Sequence, residues 1–201
     1  MRRALPAFLA CLCLAVVASG VAVARPYGPV GHNPADRLAS KPIDPYAYDH
    51  ARHCYRRPSK GATALVSWLA RNARGQFWGI MRCERLSRDA MSLHSEGRAI
   101  DWHLDVSRRS DRRAARRLIL TLLATDRAGN PHALARRMGV QEIIWDCRSW
   151  WSGSEGMDRY SACFNRKGRR VKVDDTTAHR DHVHLGLSRE GAQMLTSFWR
   201  Q

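Results

Sequence analysis

The most informative part of the sequence is Ser92-Leu93-His94-Ser95-Glu96-Gly97-Arg98-Ala99-Ile100-Asp101-Trp102-His103-Leu104-Asp105. From Ala99 onward apolar and polar residues alternate, which is the period of a half-buried β-strand. Asp101 lies on the polar face of that predicted strand, and His94 precedes it in a loop that Gly97 allows to turn tightly. A histidine and a carboxylate brought together in this way supply two of the three protein ligands of a catalytic zinc ion.

A second stretch near the end of the chain offers the third ligand. It reads Ala178-His179-Arg180-Asp181-His182-Val183-His184-Leu185-Gly186-Leu187. In a strand, His182 and His184 project to one face while Val183 and Leu185 project to the other. The pattern therefore predicts that one of the two histidines completes a metal site. The other histidine, or Asp181, is then left to transfer protons.

Together the two stretches resemble a known enzyme family. The first matches Ser-x-His-x-x-Gly-x-Ala-x-Asp at every fixed position, and His182 and His184 form the His-x-His that follows far downstream. This combination resembles the zinc D-alanyl-D-alanine carboxypeptidase and L-alanyl-D-glutamate endopeptidase family, to which the Hedgehog signalling domain is similar in fold. The resemblance implies a Hedgehog/DD-peptidase-like fold built around one zinc site.

The resemblance also implies a role for each motif residue. His94, Asp101 and His184 would bind Zn2+, and Asp181, three residues before the last ligand, would act as general base. Two nitrogens and one carboxylate leave a tetrahedral position open to water, as in catalytic rather than structural zinc sites. His182 is expected to orient water or to stabilise an oxyanion, although a buried structural histidine fits the same pattern.

The residues that meet the substrate are less closely defined by the motifs. The resemblance implies an arginine upstream of the first motif, which binds either the oxygen of the tetrahedral intermediate or a substrate carboxylate. Arg82 and Arg85 both stand there, on either side of a cysteine. Ser92 and Trp145 are the candidate substrate-binding residues, although a place in the core is the more usual role for a tryptophan.

Two supporting roles have more than one candidate. Glu96 is the first alternative to Asp181 as the base, and Asp105 is a more distant one. A ligand histidine needs a hydrogen-bond partner at its second ring nitrogen, and Asp105 and Glu142 could provide it.

The first residues predict export. Arg2 and Arg3 precede an apolar run that ends in Ala-Val-Ala, which is the pattern of a signal peptide cleaved after Ala24. Residues 25–53 are rich in proline and glycine and predict an extended arm or linker. Residues 54–201 are predicted to form the zinc peptidase-like domain. No later stretch approaches about 18 uninterrupted apolar residues, so we expect no membrane span after cleavage.

Four cysteines remain after the predicted cleavage. In an exported chain they predict two disulfides. We favour the pairs Cys54–Cys83 and Cys147–Cys163, because each pair encloses one local unit of the chain. A cysteine zinc site is disfavoured, since none of the four belongs to a Cys-x-x-Cys pair.

The mixture of helical and strand patterns predicts an α+β fold with a mainly antiparallel sheet flanked by helices. Predicted helices cover residues 61–73, 111–126 and 130–139, and a closing helix is capped by Ser188. Predicted strands cover residues 76–82, 99–105, 140–145, 169–173 and 182–187. Residues 147–165 are predicted to form an aromatic, glycine-containing excursion.

The chain is strongly basic. Thirty-four basic and 18 acidic residues give a formal net charge of +16, which loss of Arg2 and Arg3 would reduce to +14. Such a field attracts polyanions, and for an exported protein the natural ones are anionic cell-wall polymers. Six arginines between positions 108 and 117 fall on one helical face, which we interpret as a solvated surface. No aromatic residues are interleaved with them, so nucleic acid is not the expected partner.

These patterns together predict an exported zinc peptidase that hydrolyses amide bonds in peptidoglycan stem peptides, near a D-amino acid. Two other functions fit part of the sequence. One is a non-catalytic cell-wall-binding module of the same fold. The other is a secreted metal-dependent nuclease, suggested by the positive charge and the His-x-His pair. The nuclease is the least favoured, because no histidine–asparagine metal-finger pattern accompanies the pair.

Overall fold

A computed structural model of the protein describes residues 33–55, 57–87 and 90–200. The predicted signal peptide and the first part of the predicted arm, residues 25–32, lie outside the described residues. Within the described ranges, no helix is long and apolar enough to cross a membrane.

Six strands form one antiparallel sheet. They are β1 Gln76–Gly79, β2 Ala99–His103, β3 Val140–Trp145, β4 Arg148–Trp151, β5 Asp158–Arg159 and β6 His182–Leu187. Their order in the sheet is β1-β2-β6-β3-β4-β5, and all the pairings between neighbours are antiparallel. This confirms the predicted α+β class with an antiparallel sheet.

The helices begin and end where the sequence provides caps. They are α1 Lys60–Asn72, α2 Arg109–Leu123, α3 Ala133–Met138 and α4 Arg189–Ala192. The Ser59 hydroxyl accepts the Ala62 N–H at the start of α1, and the Ser188 hydroxyl accepts the Gly191 N–H at the start of α4. Gly139 ends α3 with a φ of 73°, a conformation that costs glycine little.

The sheet separates an apolar face from a polar one. Ile100 and Trp102 of β2, together with Leu185 of β6, are buried in one core with the apolar sides of α1 and α2. Because successive strand residues point to opposite faces, Asp101 and His184 lie on the other side of the sheet. The helices therefore cover one face, and the predicted metal ligands Asp101 and His184 lie on the other.

The predictions for two segments were wrong. Residues 169–173 were predicted to form a strand, but there only Arg170 makes an isolated bridge, to Phe164. The predicted excursion after Cys147 instead opens with β4, which pairs with β3 through a two-residue hairpin turn. Asp146 and Cys147 form that turn with φ values of 46° and 59°. Turns of this kind normally carry glycine or asparagine, and this one has no glycine to signal it.

Both predicted disulfides are present. Cys54 and Cys83 join the end of the arm to the segment after β1, with their Cα atoms 5.5 Å apart. Cys147 and Cys163 close the hairpin region, with Cα atoms 5.6 Å apart. Two disulfides indicate an extracytoplasmic protein, because thiols are kept reduced in the cytosol.

The arm is attached to the domain by buried polar groups. The backbone N–H of Asp49 donates to Gln141 Oε1 at 2.8 Å, and its carbonyl accepts from Gln141 Nε2 at 3.1 Å and Arg98 Nη2 at 2.8 Å. The Asp49 carboxylate accepts the backbone N–H of Arg189 at 2.8 Å. These contacts fix the arm beside β3 and bring Tyr48 to the polar face of the sheet.

Candidate metal centre

A short 3-10 turn, Leu93–Glu96, places His94 in front of β2. The Ser92 hydroxyl accepts the His94 N–H at 3.3 Å where the turn begins, and Gly97 ends it with a φ of 64°. A Cβ at Gly97 would lie 2.5 Å from the carbonyl oxygen of Arg57. The glycine of the motif is therefore required both by its backbone conformation and by the close approach of the segment before α1.

Strand pairing brings the other two predicted ligands together. Asp101 of β2 stands directly opposite His184 of β6, and His103 stands opposite His182. Residues opposite each other in antiparallel strands share a face and are within side-chain reach. Two segments that are distant in sequence thus meet on the polar face of the sheet.

The three ligand atoms form a nearly equilateral triangle. His94 Nε2 lies 3.0 Å from Asp101 Oδ1 and 3.2 Å from His184 Nδ1, and the last two atoms are 3.2 Å apart. A tetrahedral ion bound at about 2.0–2.1 Å separates its ligands by about 3.3 Å. All three residues are buried, and together they could hold a metal ion. The structure thus brings together His94, Asp101 and His184, as the motifs predict.

Each of the two histidines has a polar group behind its second ring nitrogen. His94 Nδ1 donates to the Ile80 carbonyl at 2.6 Å, which leaves the Nε2 lone pair facing the triangle. His184 Nε2 lies 3.5 Å from Glu142 Oε1, and Glu142 Oε2 accepts the Tyr48 hydroxyl at 3.0 Å. Of the two candidate partners, Glu142 has this position. Such outer contacts orient a metal ligand and increase its basicity.

Burial and charge set the protonation of this cluster. Burial alone would raise the pKa of Asp101, but the close contacts of its carboxylate with the His184 and His94 rings outweigh burial and lower the pKa well below its usual range. Burial lowers the pKa of His184 to about 4, so its ring is neutral at neutral pH, as a metal ligand must be. Burial raises the pKa of Glu142 to about 7, against the hydrogen bond from Tyr48.

Arg82 is the arginine that reaches the predicted metal ligands. Its Nη1 lies 2.5 Å from Asp101 Oδ2, and its Nε lies 2.9 Å from Glu84 Oε2. The side chain is 44% exposed, so it lies at the solvent edge of the centre. Arg85 lies farther along the same segment, where its backbone forms a β-bridge with Met91.

His182, rather than Asp181, faces the metal ligands. His182 Nδ1 donates to Asp181 Oδ1 at 2.7 Å, and Asp181 Oδ2 accepts the Thr176 hydroxyl at 2.6 Å. His182 Nε2 is buried, has no hydrogen-bond partner among the described residues, and lies 3.3 Å from Asp101 Oδ1. Asp181 is therefore hydrogen-bonded through both oxygens, and the imidazole stands between it and the centre.

A further histidine borders the centre. The ring of His179 lies 4.6 Å from that of His182 and 5.6 Å from that of His184, measured between ring centroids. Burial is the main cause that lowers the pKa of His179 to about 2, so its ring is neutral and lies as a polar group at the border of the centre.

The two residues predicted to bind substrate have structural contacts. The Ser92 hydroxyl caps the 3-10 turn and is buried. Trp145 is half-buried and packs against the main core. Glu96, the alternative base, accepts the backbone N–H groups of Arg52 and His53 and pairs with Arg98. Their proposed roles in substrate binding and proton transfer stay predictions.

Sequence reasoning missed Trp78. Its ring is 52% exposed, stacks on His103 at a centroid distance of 4.4 Å, and lies 5.9 Å from the ring of His182. The residue belongs to β1, where the register shifts between Phe77 and Gly79. Such a bulge breaks the alternation from which a strand residue is assigned to a face, so no sequence pattern marks the position.

The match to a known family comes from the middle of the chain. Residues 58–171, more than half of the chain, match the family described as VldE, C-terminal domain. The protein belongs to this family. The VldE C-terminal domain family is associated with the D-Ala-D-Ala carboxypeptidase-like group. The matched residues include His94 and Asp101 and end before β6, so His184 lies beyond them. No curated protein and no solved structure matches the chain.

Proposed function

We propose that this member of the VldE C-terminal domain family is an exported zinc peptidase that hydrolyses amide bonds in peptidoglycan stem peptides, on a Hedgehog/DD-peptidase-like fold. The observation that carries the proposal is the buried triangle of His94 Nε2, Asp101 Oδ1 and His184 Nδ1. The association of the family with the D-Ala-D-Ala carboxypeptidase-like group supports the substrate class.

The donor set favours zinc. Two imidazole nitrogens and one carboxylate oxygen, at the spacing of a tetrahedron, are the protein ligands of catalytic zinc sites. A zinc ion bound there would polarise the scissile carbonyl and lower the pKa of water to about 7. The surrounding side chains would bind the substrate and transfer the protons.

Arg82 is placed to bind negative charge at the carbonyl oxygen. A guanidinium has five N–H donors, and the contacts with Asp101 and Glu84 use only two of its nitrogens. Its partly exposed position lets the remaining donors reach a substrate at the edge of the centre. In this role Arg82 stabilises the oxyanion or holds a substrate carboxylate.

Asp181 and His182 form the proton-transfer pair. The Nδ1–H of His182 is held by Asp181, so its Nε2 lone pair points to the centre and can accept the proton of the attacking water. The Asp181 carboxylate stabilises the resulting imidazolium, as a buried aspartate does for a catalytic histidine. The imidazolium then protonates the leaving amine. Trp78, beside His182, offers an exposed ring against which the substrate packs.

Metal analysis coupled to digestion of purified peptidoglycan tests the proposal. We expect one zinc per chain and stem-peptide cleavage detectable by mass spectrometry. His94→Ala and His184→Ala should abolish both zinc binding and cleavage. His53→Ala is the matched control, because His53 is exposed and stacks only on Tyr55 among the described rings. It should leave both zinc binding and cleavage intact.

Two outcomes would overturn the peptidase. Zinc-loaded protein that leaves stem peptides intact across the pH range, but stays bound to cell walls, would be a non-catalytic binding module. Nicking of plasmid DNA with zinc or magnesium, lost in His184→Ala, would instead make the protein a nuclease.

A further inference from the structure

A groove lies on the side of the sheet opposite the metal centre. It has a volume of about 460 Å3 and runs between α1 and α2. Its polar lining includes Asn72, Arg74, Ser110, Arg113 and Arg117. Because the helices cover one face of the sheet and the metal ligands lie on the other, a molecule in this groove would leave the metal centre open.

Arginines follow α2 along this groove. Arg109, Arg113 and Arg117 are four residues apart, so their side chains form one ridge with a step of about 6 Å. Arg108, Arg112 and Arg116 form a second ridge beside it. All six are exposed. Within the described part of the chain, the ion pair found for this set is Arg108 with Asp105, at 3.7 Å.

This arrangement is unfavourable for the free helix. Like charges at i and i+4 destabilise a helix by about 0.2–0.5 kcal/mol per pair. Arginines in the first turn also face the positive end of the helix dipole, where acidic residues are favoured. In addition, Arg108, the N-cap residue of α2, makes no side-chain capping hydrogen bond. Helix stability therefore does not account for these arginines, and a bound anion would relieve the repulsion between them.

We propose that this groove binds the phosphate groups of a linear anionic polymer of the cell surface, a phosphodiester-linked polyol or glycan. Arg113 and Arg117 from α2, with Arg74 from the segment after α1, line its two sides. Arg74 also pairs with Asp111 through Nε at 3.1 Å, which holds it at the groove. Guanidinium groups bind phosphate through paired hydrogen bonds, whereas lysine provides a single point charge. Thirty of the 34 basic residues in the chain are arginine.

The groove is poorly suited to nucleic acid. Single strands bind to successive aromatic rings, and the groove offers one, Trp68, which is half-buried against the core. The two disulfides indicate a protein outside the cytoplasm, where anionic surface polymers are met. A bound polymer would hold the protein at the cell surface while the opposite face remains free for reaction.

Binding of a synthetic glycerol-phosphate polymer at several salt concentrations tests the inference. Arg113→Gln/Arg117→Gln should weaken binding and reduce the slope of log K against log salt by about 1.4, since each neutralised phosphate contributes about 0.7 to that slope. The matched control, Arg166→Gln/Arg169→Gln, removes the same charge from two exposed positions near β5. It should change the slope much less.

Stability and zinc content show whether the double variant is otherwise intact. Removal of repulsion on α2 should leave the melting temperature of Arg113→Gln/Arg117→Gln unchanged or slightly raised, so weaker binding would not come from unfolding. Zinc content should be that of the unaltered protein, so the result stands apart from the proposed peptidase activity. Equally weakened binding in the two double variants would overturn the site, since overall charge alone would then account for binding. Tighter binding of single-stranded DNA of equal charge would overturn the ligand class.

Discussion

Asp126 and Asp101 are both nearly fully buried carboxylates, but their surroundings differ in kind. Asp126 Oδ1 accepts the N–H groups of Ala128 and Asn130 at 3.0 Å each, and Asp126 Oδ2 accepts Arg137 Nη1 at 2.8 Å. The Asn130 side-chain amide reaches both oxygens at 3.1 Å. Asp126 is thus surrounded by fixed N–H donors, and nothing further is needed to balance its charge.

Asp101 pairs with Arg82 through Oδ2, whereas its Oδ1 faces ring nitrogens. Its Oδ1 has His94, His182 and His184 nitrogens within 3.0–3.3 Å. The Ile80 carbonyl accepts the far-side ring proton of His94, and Asp181 accepts that of His182. Lone pairs then converge on one point, which only protons or a cation can stabilise. Both carboxylates are buried, so burial does not separate a structural carboxylate from a candidate metal ligand. What separates them is whether N–H donors already occupy both carboxylate oxygens.

The largest effect is expected at Asp101. Asp101→Asn keeps the shape of the side chain but removes its charge and replaces one oxygen by an amide. Zinc affinity should fall more than about 100-fold, beyond the usual effect of an outer contact. Zinc competition with a chelating dye measures the change. Asp105→Asn, four residues farther along and partly exposed, is the control and should bind zinc normally. Normal zinc binding by Asp101→Asn would remove this residue from the centre.

Substitution of Asp126 is expected to reduce the stability of the protein and to leave zinc affinity unchanged. Asp126→Ala leaves the fully buried Arg137 without its counter-charge, which costs about 3–5 kcal/mol in the free energy of unfolding. Urea unfolding measures this change, while the folded fraction should bind zinc with unchanged affinity. A zinc affinity that fell as far as in Asp101→Asn would contradict the contrast between the two aspartates.

The contribution of Asp126 to the free energy of unfolding should depend on pH. Burial alone would raise its pKa, but hydrogen bonds from Asn130 and Arg137 outweigh burial and lower it. A lowered folded-state pKa means that Asp126 stabilises the protein above the ordinary aspartate pKa of 3.8. That contribution disappears as the pH falls through the lowered value. Unfolding at pH 7 and pH 3 should therefore differ less for Asp126→Ala than for the unaltered protein.

The residues of the candidate metal centre could be predicted from the sequence, because they depend on strand alternation and on a glycine turn, which are local patterns. On the strands of Asp101 and His184, the alternating apolar residues must face the core. The polar residues between them must therefore all lie on the opposite face of the sheet. The bounds of β3 and β6 were predicted for the same reason. The hairpin at Asp146 and Cys147 could not be predicted, because its left-handed residues are held by tertiary contacts and not by glycine. Tyr48 and Trp78 reach the centre only through folding of the arm and a bulge in β1, which leave no local pattern.

At Asp181 the expected effect is on catalysis and not on zinc binding. Asp181→Asn removes the negative charge behind His182 but leaves the three metal ligands in place. We expect kcat for stem-peptide hydrolysis to fall about 10²–10⁴-fold, the range of general-base catalysis, with unchanged zinc content. Asp175→Asn is the control, since Asp175 is exposed and pairs with Arg180. Full activity in Asp181→Asn would exclude the proton-transfer pair.

The smallest effect tests whether the arm supports the metal centre. Tyr48→Phe removes the hydroxyl that donates to Glu142, which in turn faces His184 Nε2. Removing an outer contact of a metal ligand weakens metal binding by about 10–100-fold, and Tyr48 is one contact farther out, so the lower end is expected. Tyr46→Phe is matched to it, because Tyr46 belongs to the same arm and its hydroxyl meets His132 Nδ1 instead. If both variants bind zinc equally well, the arm only covers the domain. If Tyr48→Phe alone weakens zinc binding, a residue outside the matched family region belongs to the metal centre.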